Sequence, residues 1–159
     1  MLAVKIILLL SLFGILFQDI KERNVYWFLF PIVACAAGYL YFSNTFSALF
    51  WQTVMVNFGV VVLILLVLQI YAKLRLKTNL QNVFGLGDAL LFFALCVSFP
   101  IASFIIFFVF SLLFSLMIHF VFKNKTQLQT VPLAGYMSLF FIGIYLMNWT
   151  GMLTNIYSV

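Results

Sequence analysis

The chain is a succession of apolar runs, each close to the length of a bilayer, broken only by short charged or polar pieces. A helix crossing the hydrocarbon core needs roughly 20 apolar residues, with a range near 17–25. The first run, Leu2 to Gln18, meets the charged cluster Asp19, Lys21, Glu22 and Arg23, which is expected to end it. The second covers residues 25–42 with Pro31 inside it, and the polar stretch Ser43, Asn44, Thr45, Ser47 follows. The third covers 51–72 and is closed by Lys73, Arg75 and Lys77. A polar stretch, 78–82, leads to a short fourth segment over 84–99. Pro100 suits the first turn of a fifth helix, 100–122, which Lys123 and Lys125 end. The sixth covers 131–149. The first run lacks a strongly basic start and a small-residue cleavage site, so it is expected to be a retained helix and no signal peptide.

The expected fold is therefore an all-α integral membrane protein. It is a single polytopic domain over 1–159 with six transmembrane helices at about 2–18, 25–42, 51–72, 84–99, 100–122 and 131–149. Composition agrees: 67% of residues are hydrophobic and 7% charged. Soluble domains carry about 45–50% and about 25% respectively, and a disordered chain would need low hydrophobicity.

Orientation follows from Lys and Arg, which concentrate on the cytoplasmic side. Seven of the eight lie in the loops after the first, third and fifth segments, and Lys5 is the exception. Both termini are thus expected outside. Trp27, Trp51 and Trp149 fall near span ends, as interfacial aromatics do. The net charge of +5 is spread in short pieces between apolar runs, so no nucleic-acid partner is implied. Cys35 and Cys96 sit singly in apolar runs, which is neither a zinc spacing nor a disulfide framework. Both read as buried small hydrophobes. No cofactor or metal is expected.

Three acidic residues exist, Asp19, Glu22 and Asp88. A carboxylate deep in the bilayer costs about 2.5–3.5 kcal/mol on insertion scales and is a functional hypothesis by default. Glu22, between Lys21 and Arg23, reads as a solvated loop charge. Asp19 should sit at the cytoplasmic end of the first helix. Asp88 opens the fourth, whose 12 residues to Phe99 reach only about 18 Å. Asp88 is therefore expected below the membrane plane, with either Gly85–Gly87 entering the membrane or the helix starting near Val83. The topology puts Asp19 and Asp88 on one face although they are 69 residues apart. A capping Asp and a boundary surface charge are the plainer explanations of each alone. Together, two carboxyls sharing a site repel, and one holds its proton while the other is ionised. Such a pair can deprotonate a water and protonate a leaving amine, which is aspartic-protease chemistry. Gly85 and Gly87 allow unusual backbone angles and close approach of another chain.

The segment Phe84-Gly85-Leu86-Gly87-Asp88-Ala89-Leu90-Leu91 resembles the Gly-x-Gly-Asp motif of the type IV prepilin peptidases, membrane aspartyl proteases that cut leaders from pilin-like precursors. Asp19-Ile20-Lys21-Glu22-Arg23-Asn24-Val25 is similar to the family's other aspartate motif, at the cytoplasmic end of an earlier helix. Val131-Pro132-Leu133-Ala134-Gly135-Tyr136 resembles its Pro-containing last helix. The chain departs from the family where Tyr26-Trp27 replaces a common Pro-Asn, Leu90 a common Lys, and Gly135 a frequent Pro. The resemblance implies the compact, peptidase-only form without methyltransferase activity. It implies Asp19 and Asp88 as catalytic residues, Gly85 and Gly87 as supporting ones, and a multi-pass prokaryotic inner-membrane location. The implied partner is a pilin-like precursor with a basic leader and a hydrophobic helix, lying in the lipid bilayer.

Two other classes fit part of the pattern. A small ion- or proton-coupled transporter would also carry membrane acids and broken helices, but both Asp lie at one boundary and no inverted repeat is visible. A non-catalytic subunit of a pilus or secretion machine is the third. Among remaining polar residues, His119 reads as a lone interfacial histidine, and Gln18, Asn57, Gln69, Ser111 and Ser115 as interhelical hydrogen-bonding groups.

Overall fold

A computed structural model describes residues 1–76, 85–122, 131–153 and 156–157. They form six α-helices and no strand is found among the described residues: α1 (Leu2–Glu22), α2 (Leu29–Phe42), α3 (Ser47–Tyr71), α4 (Leu86–Leu95), α5 (Ile101–Phe122) and α6 (Leu133–Trp149). A single π-helical stretch, Ala72–Leu76, prolongs α3. Three helices are long and apolar enough to cross a membrane: α1, α3 with its extension, and α5. The other three are shorter. At 1.5 Å per residue, α2, α4 and α6 reach about 21, 15 and 25 Å.

α1 lies at the centre of the packing, against α6 on one side and α2 on the other. The reason is visible along its sequence. Leu8, Leu12, Ile15 and Asp19 recur at helical spacing and are buried. Ile6, Leu10, Phe13 and Phe17 on the remaining surface are exposed. Exposure of large apolar side chains all round a helix is what a lipid surrounding permits and water does not. Because lipid is as apolar as a leucine side chain, such helices are held by close packing and internal hydrogen bonds, which favours small interfacial residues. Gly14 of α1 lies where an added Cβ would be 3.4 Å from Leu29, and the Ala36-Ala37-Gly38 segment of α2 is buried.

Where α4 meets α5 the chain turns at Pro100. Asn57, fully buried on α3, donates from its amide to the carbonyls of Cys96 and Phe99, both at 3.0 Å. Cys96 caps α4 and Phe99 lies in the connection to α5, so Asn57 satisfies carbonyls at the end of one helix and between the two. Phe99 is enclosed by the stacked rings of Phe141, Tyr145 and Tyr157. This corner fixes α4 against the helices that matter for the site below.

Several sequence expectations change. α1 continues through the charged cluster to Glu22 instead of stopping at Gln18, because Lys and Glu are good helix formers and charge does not itself end a helix. It stops where Arg23 takes the left-handed conformation, φ 56°. α2 starts at Leu29, not Val25, after a tight turn in which the Leu29 amide donates to the Tyr26 carbonyl at 3.1 Å. Pro31 falls in its first turn, where amides lack intrahelical partners anyway. α3 starts at Ser47, ahead of Trp51. α4 covers only Leu86–Leu95, since the turns formed by Cys96 and Ser98 end it before Pro100. The 78–82 stretch, Phe84, the Val83 start and Lys77, Lys123 and Lys125 lie outside the described residues. Cys96 is buried, whereas Cys35 is exposed on the outer surface of α2. Asn57 and Ser115 bond between helices, the latter to the Leu133 carbonyl at 3.4 Å. Ser111 bonds within its own helix and Gln69 is exposed.

Candidate active site

Asp19 is the last residue of the buried stripe of α1, one turn before the helix ends. The spacing that buries Leu8, Leu12 and Ile15 therefore also turns this carboxylate inward. Asp88 is in the first turn of α4, half-buried, three residues after Gly85, which precedes the helix. Both side chains converge on a third element. Asp19 Oδ2 accepts the Gly135 amide at 2.6 Å, and Asp88 Oδ1 accepts the Ala134 amide at 2.7 Å. The two donors are consecutive residues in the first turn of α6. Since adjacent amide nitrogens are joined through one residue, the accepting oxygens lie within about 9 Å of each other.

The local sequence explains why these amides are free. Pro132 precedes the helix, and its carbonyl accepts the Tyr136 amide at 3.1 Å as the first intrahelical bond. The amides before Tyr136 have no partner in their own helix. They also stand at the positive end of the helix dipole, worth typically about 0.3–1 kcal/mol to a neighbouring anion and up to about 2 when partly buried. Two carboxylates occupy that end. Their charges act on one another, and the Arg23 guanidinium attracts both. Arg23 takes its left-handed backbone position at the end of α1, four residues after Asp19.

Glycine has a specific use at two points. An added Cβ at Gly135 would lie 3.1 Å from Asp19 Oδ2 and 3.2 Å from Asp19 Cβ. At Gly85 it would lie 3.0 Å from Asp88 Oδ2. Both carboxylates thus rest on backbone that carries no side chain. Neither Gly85 nor Gly87 has a positive φ, so the expectation of unusual backbone angles gives way to close approach. Gly87 has room: its Cβ would make an ordinary 3.6 Å contact with Phe30.

Of the residues singled out from sequence, Asp19, Asp88 and Gly85 meet at one place. Glu22 is exposed, and His119 is half-buried on α5. Gln18 Oε1 accepts the Tyr26 amide at 3.0 Å and so ties the α1–α2 connection to its own helix. Sequence reasoning missed Ala134 and Gly135, which act through backbone amides. The one available signal was the Pro-containing start of the last helix. Among the described residues no three His, Cys, Asp or Glu side chains group as a metal site would require. No family model, curated protein or solved structure matches this chain.

Proposed function

We propose that the chain is a membrane aspartic endopeptidase of the type IV prepilin peptidase kind. It removes the leader of a pilin-like precursor at the cytoplasmic boundary of a prokaryotic inner membrane. The observation that carries this reading is the convergence of Asp19 and Asp88, 69 residues apart in sequence, on consecutive amides of α6. The resemblances around Gly85–Asp88 and over Asp19–Val25 point to the same two residues.

In this reading all six helices cross or enter the bilayer, both termini face outside, and the substrate helix lies in the lipid beside the enzyme. One oxygen of each carboxyl is anchored by its amide, which fixes the pair before substrate arrives. The other oxygens hold a water. One carboxylate takes a proton from that water as it attacks the scissile carbonyl. The other carboxyl, protonated, hydrogen-bonds the carbonyl oxygen and later supplies the proton that the leaving amine needs. The titration belongs to the pair. Pre-set orientation of this kind is where much of the rate of such reactions originates.

The test is cleavage of a pilin-like precursor by the purified chain in lipid. A shortened precursor is expected from wild type and from Glu22→Gln, and none from Asp19→Asn or Asp88→Asn. Absence of cleavage across a panel of leader-bearing precursors would turn the reading toward transport or assembly.

A further inference from the structure

The end of the bundle remote from the two carboxylates holds a cavity of about 440 Å³. It lies among the start of α1, the last turns of α2 and α6, and residues 156–157. Lys5 lines it, with its ammonium 5.0 Å from the centroid of the Trp149 ring. Lys5 precedes Asp19 on the same helix by about 21 Å of rise, so it stands near the opposite boundary of the membrane-spanning α1. None of the chain's three acidic side chains is there: Asp19 and Asp88 bind the other end of α6, and Glu22 closes α1. A ring face offsets part of the charge of an ammonium, and an added anion would offset the rest.

The neutral groups around Lys5 include a donor of the matching kind. Among the described residues Asn148 Nδ2 donates one hydrogen bond, to the Leu153 carbonyl at 3.0 Å, and the amide carries a second hydrogen to give. The Tyr157 ring closes one side of the cavity, stacked on Tyr41 and Phe99, with its hydroxyl turned away into the packed interior. Leu40 and Trp149 supply an apolar wall beside these polar groups. A cation and an amide donor side by side suit the charge and acceptor oxygens of a phosphate group. The apolar wall, at the depth of a leaflet boundary, suits the glycerol and first methylenes attached to it.

We propose that this cavity binds the phosphate of an anionic phospholipid headgroup, in the leaflet opposite the two carboxylates. The site is separate from the proposed peptidase chemistry and does not depend on it.

The full chain, purified in mild detergent, is exchanged into micelles containing phosphatidylglycerol, phosphatidylcholine or neither. Retained lipid is counted by native mass spectrometry, and the melting temperature is followed in parallel, with inorganic phosphate as a further arm. Wild type should retain phosphatidylglycerol with about tenfold preference, because the choline cation would face Lys5. Lys5→Gln should lose the preference and Lys5→Arg keep it. Asn148→Asp, which sets a carboxylate beside Lys5 at nearly the same size, should also lose the preference and guards against a Lys5 variant that does not fold. Equal retention of the two lipids by wild type overturns the proposal. So does an unchanged preference in Lys5→Gln or, where that variant is unfolded, in Asn148→Asp. A melting-temperature rise in inorganic phosphate as large as that in phosphatidylglycerol overturns the lipid assignment in favour of a soluble phosphate.

Discussion

Gly135→Ala separates the alignment of the carboxylates from the stability of the helix that holds them. The new Cβ would stand 3.1 Å from Asp19 Oδ2, 3.2 Å from Asp19 Cβ and 3.4 Å from Ile20 Cγ1. Two of these contacts are tighter than carbon and oxygen normally tolerate, so α1 must give by a few tenths of an ångström. Against this, replacing Gly by Ala within a helix gains about 0.8–1 kcal/mol. Complete loss of a charge-assisted hydrogen bond costs about 1.5–3 kcal/mol, and a small displacement forfeits only part of it. The net change in stability is therefore expected within about 1 kcal/mol of zero. Activity should respond more strongly. A 1 Å misplacement of a reacting group costs about 10²-fold, so a few tenths should cost between about threefold and tenfold in kcat/KM. The assay is precursor cleavage alongside thermal unfolding in the same detergent. Gly143→Ala is the internal control: it lies in the same helix with nothing within 4 Å of its added Cβ. It should gain stability and keep full activity. If Gly135→Ala behaves as Gly143→Ala does, in both stability and rate, the contact between Asp19 and this amide has no part in the chemistry.

Asn57→Ala should lower unfolding stability by about 1–2 kcal/mol, because it strips the Cys96 and Phe99 carbonyls of their shared donor; a melting point equal to wild type would count against that role. A cysteine at position 88 should react with a membrane-impermeant thiol reagent more slowly than one at Lys73, which is exposed, while equal rates would mean that Asp88 is simply solvated. Chelators should leave precursor cleavage unchanged, since the proposed chemistry runs on two carboxyls; loss of activity restored by zinc would assign the reaction to a metal.

How far the sequence reveals this arrangement depends on the kind of signal each part leaves. The inward stripe of α1 is written in its helical spacing, and it ends on Asp19. Counting apolar runs led to the expectation that Asp19 and Asp88 share one end of the helices, and the two carboxylates do meet there, on the amides of Ala134 and Gly135. Helix ends were harder. The cluster after Gln18 consists mostly of helix-compatible residues, so charge alone was a poor stop signal there. α4 ends at Leu95 in the turns at Cys96 and Ser98, and the connection to α5 is held by Asn57, 39 residues before Cys96, a long-range bond that no local pattern announces. The amides of Ala134 and Gly135 were invisible for a different reason: a backbone donor has no residue type. Cys35 faces outward because an outer helix surface in lipid accepts a small apolar side chain as readily as a core does.

The central claim is that Asp19 and Asp88 work as one unit. Measuring cleavage rates for Asp19→Asn, Asp88→Asn and the double variant tests this most directly. Groups that act together are non-additive: either single change should remove activity by about 10³-fold or more, and the double variant should be no worse than the single ones. Modest losses that multiply in the double variant, or near wild-type cleavage by either single one, would contradict a shared dyad.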